Sequence, residues 1–174
     1  MKNENIVHVV EEYDIPRYEM RVRDDCSDEC EMAIKDIQNY CKLWVKSRDY
    51  SNLTNVEGDF DDLAGFQSAI GKGKYEAFIL GAYIHSGTSF SISKTGDHRC
   101  RFDSGTLGFI GVPKGTNPDE IAEKLTSAWN GEYEGYEIYD NLTDDYVDSI
   151  CDYDYKNLEE WKEEAREKYG VEIK

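Results

Sequence analysis

Two spacings carry the donor types of a metal site. Cys26-x-x-x-Cys30 sets two thiols one helical turn apart, and His98-x-Cys100 adds an imidazole and a third thiol. A Cys₃His set built from Cys26, Cys30, His98 and Cys100 would suit one structural zinc, because zinc takes soft sulfur and nitrogen ligands in a closed tetrahedron. Such a site would add folding energy and no chemistry. The spacing is not that of a zinc finger, and the same residues have a plainer use. Cys30 would share an apolar helix face with Ile34 and Cys41, Cys26 would be a partly exposed thiol, and Cys100 would pack beneath a turn.

A second group, His85, Ser86, Asp103 and Ser104, holds the imidazole, hydroxyl and carboxylate that nucleophilic hydrolysis needs, and would centre a hydrolase on His85 and Asp103. Against this, His85-Ser86-Gly87 and Asp103-Ser104-Gly105 are ordinary turn sequences and lack the strand–elbow–helix setting of a G-x-S-x-G nucleophile. Two facing turns with mutual hydrogen bonds are the expectation, and no catalytic residue is assigned. Gly71-Lys72-Gly73-Lys74 lacks the GxxxxGK[ST] spacing of a phosphate cradle and reads as a turn.

The third feature is charge. The chain has 174 residues, 20 Lys and Arg against 37 Asp and Glu, and a formal charge of −17. Residues 1–66 hold 16 acids and 8 bases, 67–130 hold 6 and 7, and 131–174 hold 15 and 5. The last segment, at −10 over 44 residues, is self-repelling. Its carboxylates Asp140, Asp144, Asp145, Asp148, Asp152, Asp154, Glu159, Glu160 and Glu163, with Glu164, form a candidate partner-binding surface; the alternative is a solvated face that keeps the protein in solution. Tyr and Trp among them would supply aromatic anchors. Direct nucleic-acid binding and anionic membranes are disfavoured, since both need a cationic face.

Aromatics at 13 % and apolar residues at 39 % are enough for a packed core, and the length fits one domain. No run of 18 apolar residues and no charged-then-apolar leader occurs, so the expectation is a cytoplasmic protein. Five Cys residues, an odd number at spacings unlike a disulfide framework, are then expected as thiols or ligands, and disulfides rank last.

These groups need elements to hold them. Ile6–Val10 and Tyr18–Arg23 have strand period around the break Asp14-Ile15-Pro16, a hairpin pattern. Cys30, Ile34, Ile37, Cys41 and Trp44 recur at helical steps from a start near Ser27 or Asp28. Leu63, Phe66 and Ile70 mark a short second helix, and Tyr75–Ile84, the most apolar run, a buried central strand. Phe90 and Ile92 alternate with serines in the next strand, and Leu107–Val112 gives another. Asn117-Pro118-Asp119-Glu120 is a helix start with cap, N1 proline and capping-box glutamate. Tyr133–Tyr139 and Tyr146–Tyr153 form a last strand pair, and Asn157-x-x-Glu160 caps a final helix. The expectation is one α+β domain over 1–174: a mainly antiparallel sheet with about four helices, residues 1–70 giving the hairpin and first helices, 71–174 the sheet core and last helix.

Within this frame His85-Ser86-Gly87, then Cys100-Arg101-Phe102-Asp103-Ser104-Gly105 leading into Gly108-Phe109-Ile110, and later Asp148-Ser149-Ile150-Cys151, resemble a family of small tailed-phage accessory proteins. The resemblance covers roughly 75–112 and 139–168. It departs where Phe102 replaces the family's usual Trp and where Lys94–Arg99 lengthens a loop. It implies phage origin and an accessory role without assigned activity. By size and acidity the chain also looks like anti-CRISPR and antirestriction inhibitors, several of which imitate DNA. The expected function is therefore an acidic inhibitor of a host nucleic-acid-targeting nuclease, a Cas9-type effector first, acting in the host cytoplasm by occupying a basic surface. The alternatives are a phage structural or interaction protein, and third the hydrolase. Oligomeric state is left open.

Overall fold

The computed structural model describes residues 16–96 and 103–171. The predicted strand Ile6–Val10, and with it the first half of the hairpin, lies outside the described residues, as do His98 and Cys100. The described chain is α+β, with two wholly antiparallel sheets rather than one. The elements run β1 (Tyr18–Arg23), α1 (Ser27–Tyr40), β2 (Lys42–Val45), a 3₁₀ turn (Arg48–Leu53), α2 (Leu63–Ile70), β3 (Tyr75–Ile84), β4 (Thr88–Ser93), β5 (Ser104–Pro113), α3 (Pro118–Asn130), β6 (Glu134–Asp140), β7 (Asp145–Asp152) and α4 (Tyr155–Tyr169).

The larger sheet has the order β2-β5-β3-β4. Its inner strand β3 is apolar apart from the exposed Glu76, because both its faces are largely covered. Leu80 and Ala82 face the main core with Ile37, Leu43, Leu53, Ile110 and Leu125, where α1 and α3 pack. Ala77 faces the opposite layer, in which α2 sets Phe66 against Phe109 and Trp44. Helix α1 ends at Tyr40, four residues before the helical periodicity does. Cys41 is its cap, and Leu43 and Trp44 belong to β2, paired with Ile110 and Phe109. Apolar residues that recur at helical steps thus continue into a strand of β-branched and aromatic type. Gly108 permits this pairing: a Cβ there would stand 2.0 Å from the Trp44 carbonyl oxygen.

The smaller sheet has the order β1-β6-β7, so β1 pairs with β6 and β7 is an edge. Helix α4 covers one face, burying Met20, Ile138, Ala165 and Val171. Its cap is Asp154, whose carboxylate accepts the Lys156 N–H at 2.9 Å. The expected cap Asn157 sits inside the helix and donates to Asp152 at 3.3 Å. The start of α3 agrees with the sequence: Asn117 accepts the Asp119 N–H at 3.1 Å and donates to Glu120 at 3.2 Å. Among the described residues no helix is long and apolar enough to cross a membrane.

Candidate functional site: an acidic cleft and a hairpin tip

The two turns of the possible hydrolytic group do face one another. The Ile84 N–H donates to the Asp103 carbonyl at 2.8 Å, beside the Tyr83–Ser104 pair of the β3–β5 ladder. Ser86, in the left-handed region at φ 62°, donates its hydroxyl to the His85 carbonyl at 2.5 Å, and the imidazole lies flat against Tyr83. For Ser86 this is a turn-forming use, and Asp103 joins the facing turn through its backbone.

The structure divides the predicted acidic surface. Asp140, at the end of β6, is 6 % exposed and leaves the candidate set. One of its oxygens accepts Arg17 Nε at 3.2 Å and Nη2 at 3.1 Å, and the other accepts the Leu142 N–H at 3.0 Å, so its charge builds the β6–β7 turn. Asp148 points to α4, accepting Tyr169 Oη at 3.0 Å with Lys168 at 3.5 Å. Asp152 accepts the N–H groups of Tyr153 and Asp154 at 2.7 and 3.0 Å. Glu159 compensates the buried Lys162 ammonium at 2.6 Å; Glu160 pairs with Lys156, and Glu163 with Arg166. Asp144 and Asp145, at the tip of the β6–β7 hairpin, are exposed, and Asp144 takes the left-handed conformation at φ 55°. Asp140, Asp148, Asp152 and Glu159 are therefore engaged locally, while the hairpin tip, the α4 start and the exposed Glu160, Glu163 and Glu164 along α4 face outward.

A different concentration appears where the two sheets meet. An open cleft of about 1070 Å³ lies between β4, the first turns of α3 and the start of α4. Asp119, Glu120, Glu123 and Asp154 line it, with Phe90, Tyr153 and Tyr155 as aromatic walls. The N-termini of α3 and α4 both open into it, and their dipoles favour the Asp119, Glu120 and Asp154 carboxylates. The negative potential is visible in Tyr153: burial first, then Asp152, Asp154, Glu123 and Glu120, push its phenol above the ordinary range. Chemically, this arrangement suits a cationic group with an apolar stem: aromatic faces and carboxylates together accept Lys or Arg side chains. Of its lining residues the sequence reading placed only Asp154 in the candidate binding set. Asp119 and Glu120 were legible as helix-start residues, and their spacings of four and three residues to Glu123 place them on neighbouring parts of one face. That β4 and the β7–α4 junction close the opposite wall is a tertiary fact with no local sequence signal.

The cysteines follow another plan. Cys26 is bonded to Cys151 across 125 residues of sequence, which overturns the ranking of disulfides last and takes Cys26 from the Cys26/Cys30/His98/Cys100 set in this state. The bond passes over Gly135, where a Cβ would lie 2.8 Å from Cys26 Sγ. Cys30 is a buried free thiol on α1, and burial pushes its titration up. Cys41 is fully buried and raised to about 11 by desolvation.

Comparisons with protein-family models, with curated proteins and with solved structures return no match.

Proposed function

We propose that this chain is a non-enzymatic binding protein that acts by occupancy, presenting its acidic cleft and hairpin tip to a cationic protein surface. The observation that carries the reading is the cleft of Asp119, Glu120, Glu123 and Asp154 walled by Tyr153 and Tyr155, with Asp144 and Asp145 displayed at the other end of β7, on the β6–β7 turn. The target class is the nucleic-acid channel of a host defence nuclease, a Cas9-type effector first, and the protein is phage-encoded and works in the host cytoplasm. Such channels are lined with Lys and Arg that hold a guide–target heteroduplex by its backbone, so carboxylates grouped on a rigid scaffold compete for the same groups.

The test is target-DNA loading by an effector–guide complex with and without this protein, over a salt series. The comparison variant is Glu120→Gln/Glu123→Gln/Asp144→Asn/Asp145→Asn, in which glutamine keeps the capping-box contact to Asn117. The reading expects loading to be blocked, with the block weakening in salt and in the variant. Undiminished loading at every salt concentration counts against it.

A second reading, a phage assembly module without charge mimicry, is favoured by one observation. Among the described residues the outer edge of β7 carries no partner strand, and its Tyr146 and Val147 are exposed at 58 % and 39 %. Salt-insensitive association with phage components would support it.

A further inference from the structure

We infer that reduction of the Cys26–Cys151 bond opens a zinc-type metal site made by the two thiolates and the Glu29 carboxylate. The inference is independent of the proposed binding function. One ligand atom from each of Cys26, Glu29 and Cys151 lies within 4.8 Å of the others. Cys26 stands immediately before α1 and Glu29 in its first turn, three residues on, so both point to the same side, where β7 brings Cys151. Gly135, opposite Cys151 in the β6–β7 ladder, leaves the space that the sulfurs occupy.

A separate observation points to a cation. Glu29 gives one oxygen to Arg23, while the other, Oε2, is buried and has no hydrogen-bond partner among the described residues. A buried unpartnered acceptor is costly, and more so when charged. A disulfide has no proton to donate to it. In the reduced pair a thiol proton or a metal ion meets that oxygen, and of the two the ion also joins both sulfurs. Two thiolates and a carboxylate are zinc ligands, and a water completes the tetrahedron. Two sulfurs on one zinc stand about 3.7 Å apart, given bonds of about 2.3 Å, which side-chain rotation reaches between Cα atoms 6.4 Å apart. Arg23, also 3.5 Å from Glu137, offsets the net negative charge of the loaded site.

The chemistry balances with a cellular dithiol as reductant. Its two thiols exchange with the Cys26–Cys151 bond, it leaves as a disulfide, and two protein thiols form; zinc then displaces one proton from each. Oxidation by a disulfide reverses the sequence and expels the ion. The set differs from Cys26, Cys30, His98 and Cys100 in all but Cys26, and experiment separates the two.

The test uses the full chain reduced with a phosphine, stripped with a chelator and titrated without oxygen, first with Co²⁺ and then with Zn²⁺. A thiolate-to-cobalt absorption band saturating at about one equivalent and displaced by zinc is expected, with no band in the oxidised chain. The band disappears in Cys151→Ser and is unchanged in Cys30→Ala. In Glu29→Gln, which keeps every thiol and whose fold is checked by circular dichroism, affinity falls by at least the roughly 10-fold that losing even an outer partner costs. A reduced chain without the band, a band that survives Cys151→Ser, or a Glu29→Gln protein that titrates like the parent would overturn the inference.

Discussion

Replacing Asp140 with Asn separates the structural acids from the displayed ones. The carboxylate receives two N–H groups of Arg17 at 3.2 and 3.1 Å on one oxygen and the Leu142 N–H at 3.0 Å on the other. Asparagine keeps the acceptor for Leu142 but either turns an NH₂ toward the Arg17 donors or loses the charge that attracts them. Hydrogen bonds to a charged group contribute roughly 1.5–3 kcal/mol. Because the Arg17 side chain is 60 % exposed, water recovers part of that, and the lower end, about 1.5 kcal/mol, is expected. For a chain of this length that is a fall in Tm of about 3–6 °C, read by circular dichroism and checked by urea midpoint at constant slope. Asp144→Asn/Asp145→Asn, changing exposed side chains, should stay within about 0.5 kcal/mol of the parent. Partner binding per folded molecule should move the other way, unchanged in Asp140→Asn and weakened in the tip variant. An Asp140→Asn protein as stable as the parent, or a tip variant that loses more than about 1 kcal/mol, would refute the division.

The thiol of Cys41 makes stability depend on alkaline pH. Its folded pKa is raised from 9.0 to about 11. The unfolded chain therefore releases a proton that the folded chain keeps between those values, stability is full below pH 9, and about 2–3 kcal/mol is lost by pH 11. Burial also holds the Tyr133 phenol up, in the same direction. Urea midpoints from pH 8 to 11 in the parent and Cys41→Ala follow this, and a slope shared equally by both proteins would contradict it. Gly108→Ala forces a Cβ against the Trp44 carbonyl and should cost about 3 kcal/mol or more, detached β2 showing as early hydrogen exchange of Lys46, whose N–H donates to the Leu107 carbonyl at 2.9 Å. Asp154→Ala, which removes the cap of α4, should cost about 1 kcal/mol by thermal melt, and Asn157→Ala less than half of that.

What the sequence showed best were elements whose signals are local. The α3 start is written in Asn117-Pro118-Asp119-Glu120, each residue filling its own capping role, and the ten-residue run of β3, interrupted only by Glu76, is apolar because both its faces are largely covered. The misplaced boundaries arose where two signals overlap. Cys41 and Trp44 continue a helical period by coincidence, and only pairing with β5 makes Lys42–Val45 a strand. At α4, Asp154 and Asn157 are both good caps, and the turn closed by Asp152 selects the first. The division into two sheets had no local signal, since the alternation of β6 looks the same in either. The candidate site was legible as charge but not as shape. Composition counts Asp140 and Asp144 alike, while Arg17, 123 residues before Asp140, buries one of them in an ion pair. The Cys26–Cys151 bond depends on β7 passing Gly135, a contact across the whole chain.

The central claim is that acidic groups of the cleft and hairpin tip engage a cationic surface. Its most direct measurement is the affinity of the chain for an isolated Cas9-type effector–guide complex, taken by calorimetry from low to high salt. Glu120→Gln/Glu123→Gln/Asp144→Asn/Asp145→Asn is measured beside the parent. The account predicts affinity that falls steadily with the logarithm of salt, and a shallower fall from a weaker starting value in the variant. Affinity independent of salt and unaltered by the four substitutions would contradict it.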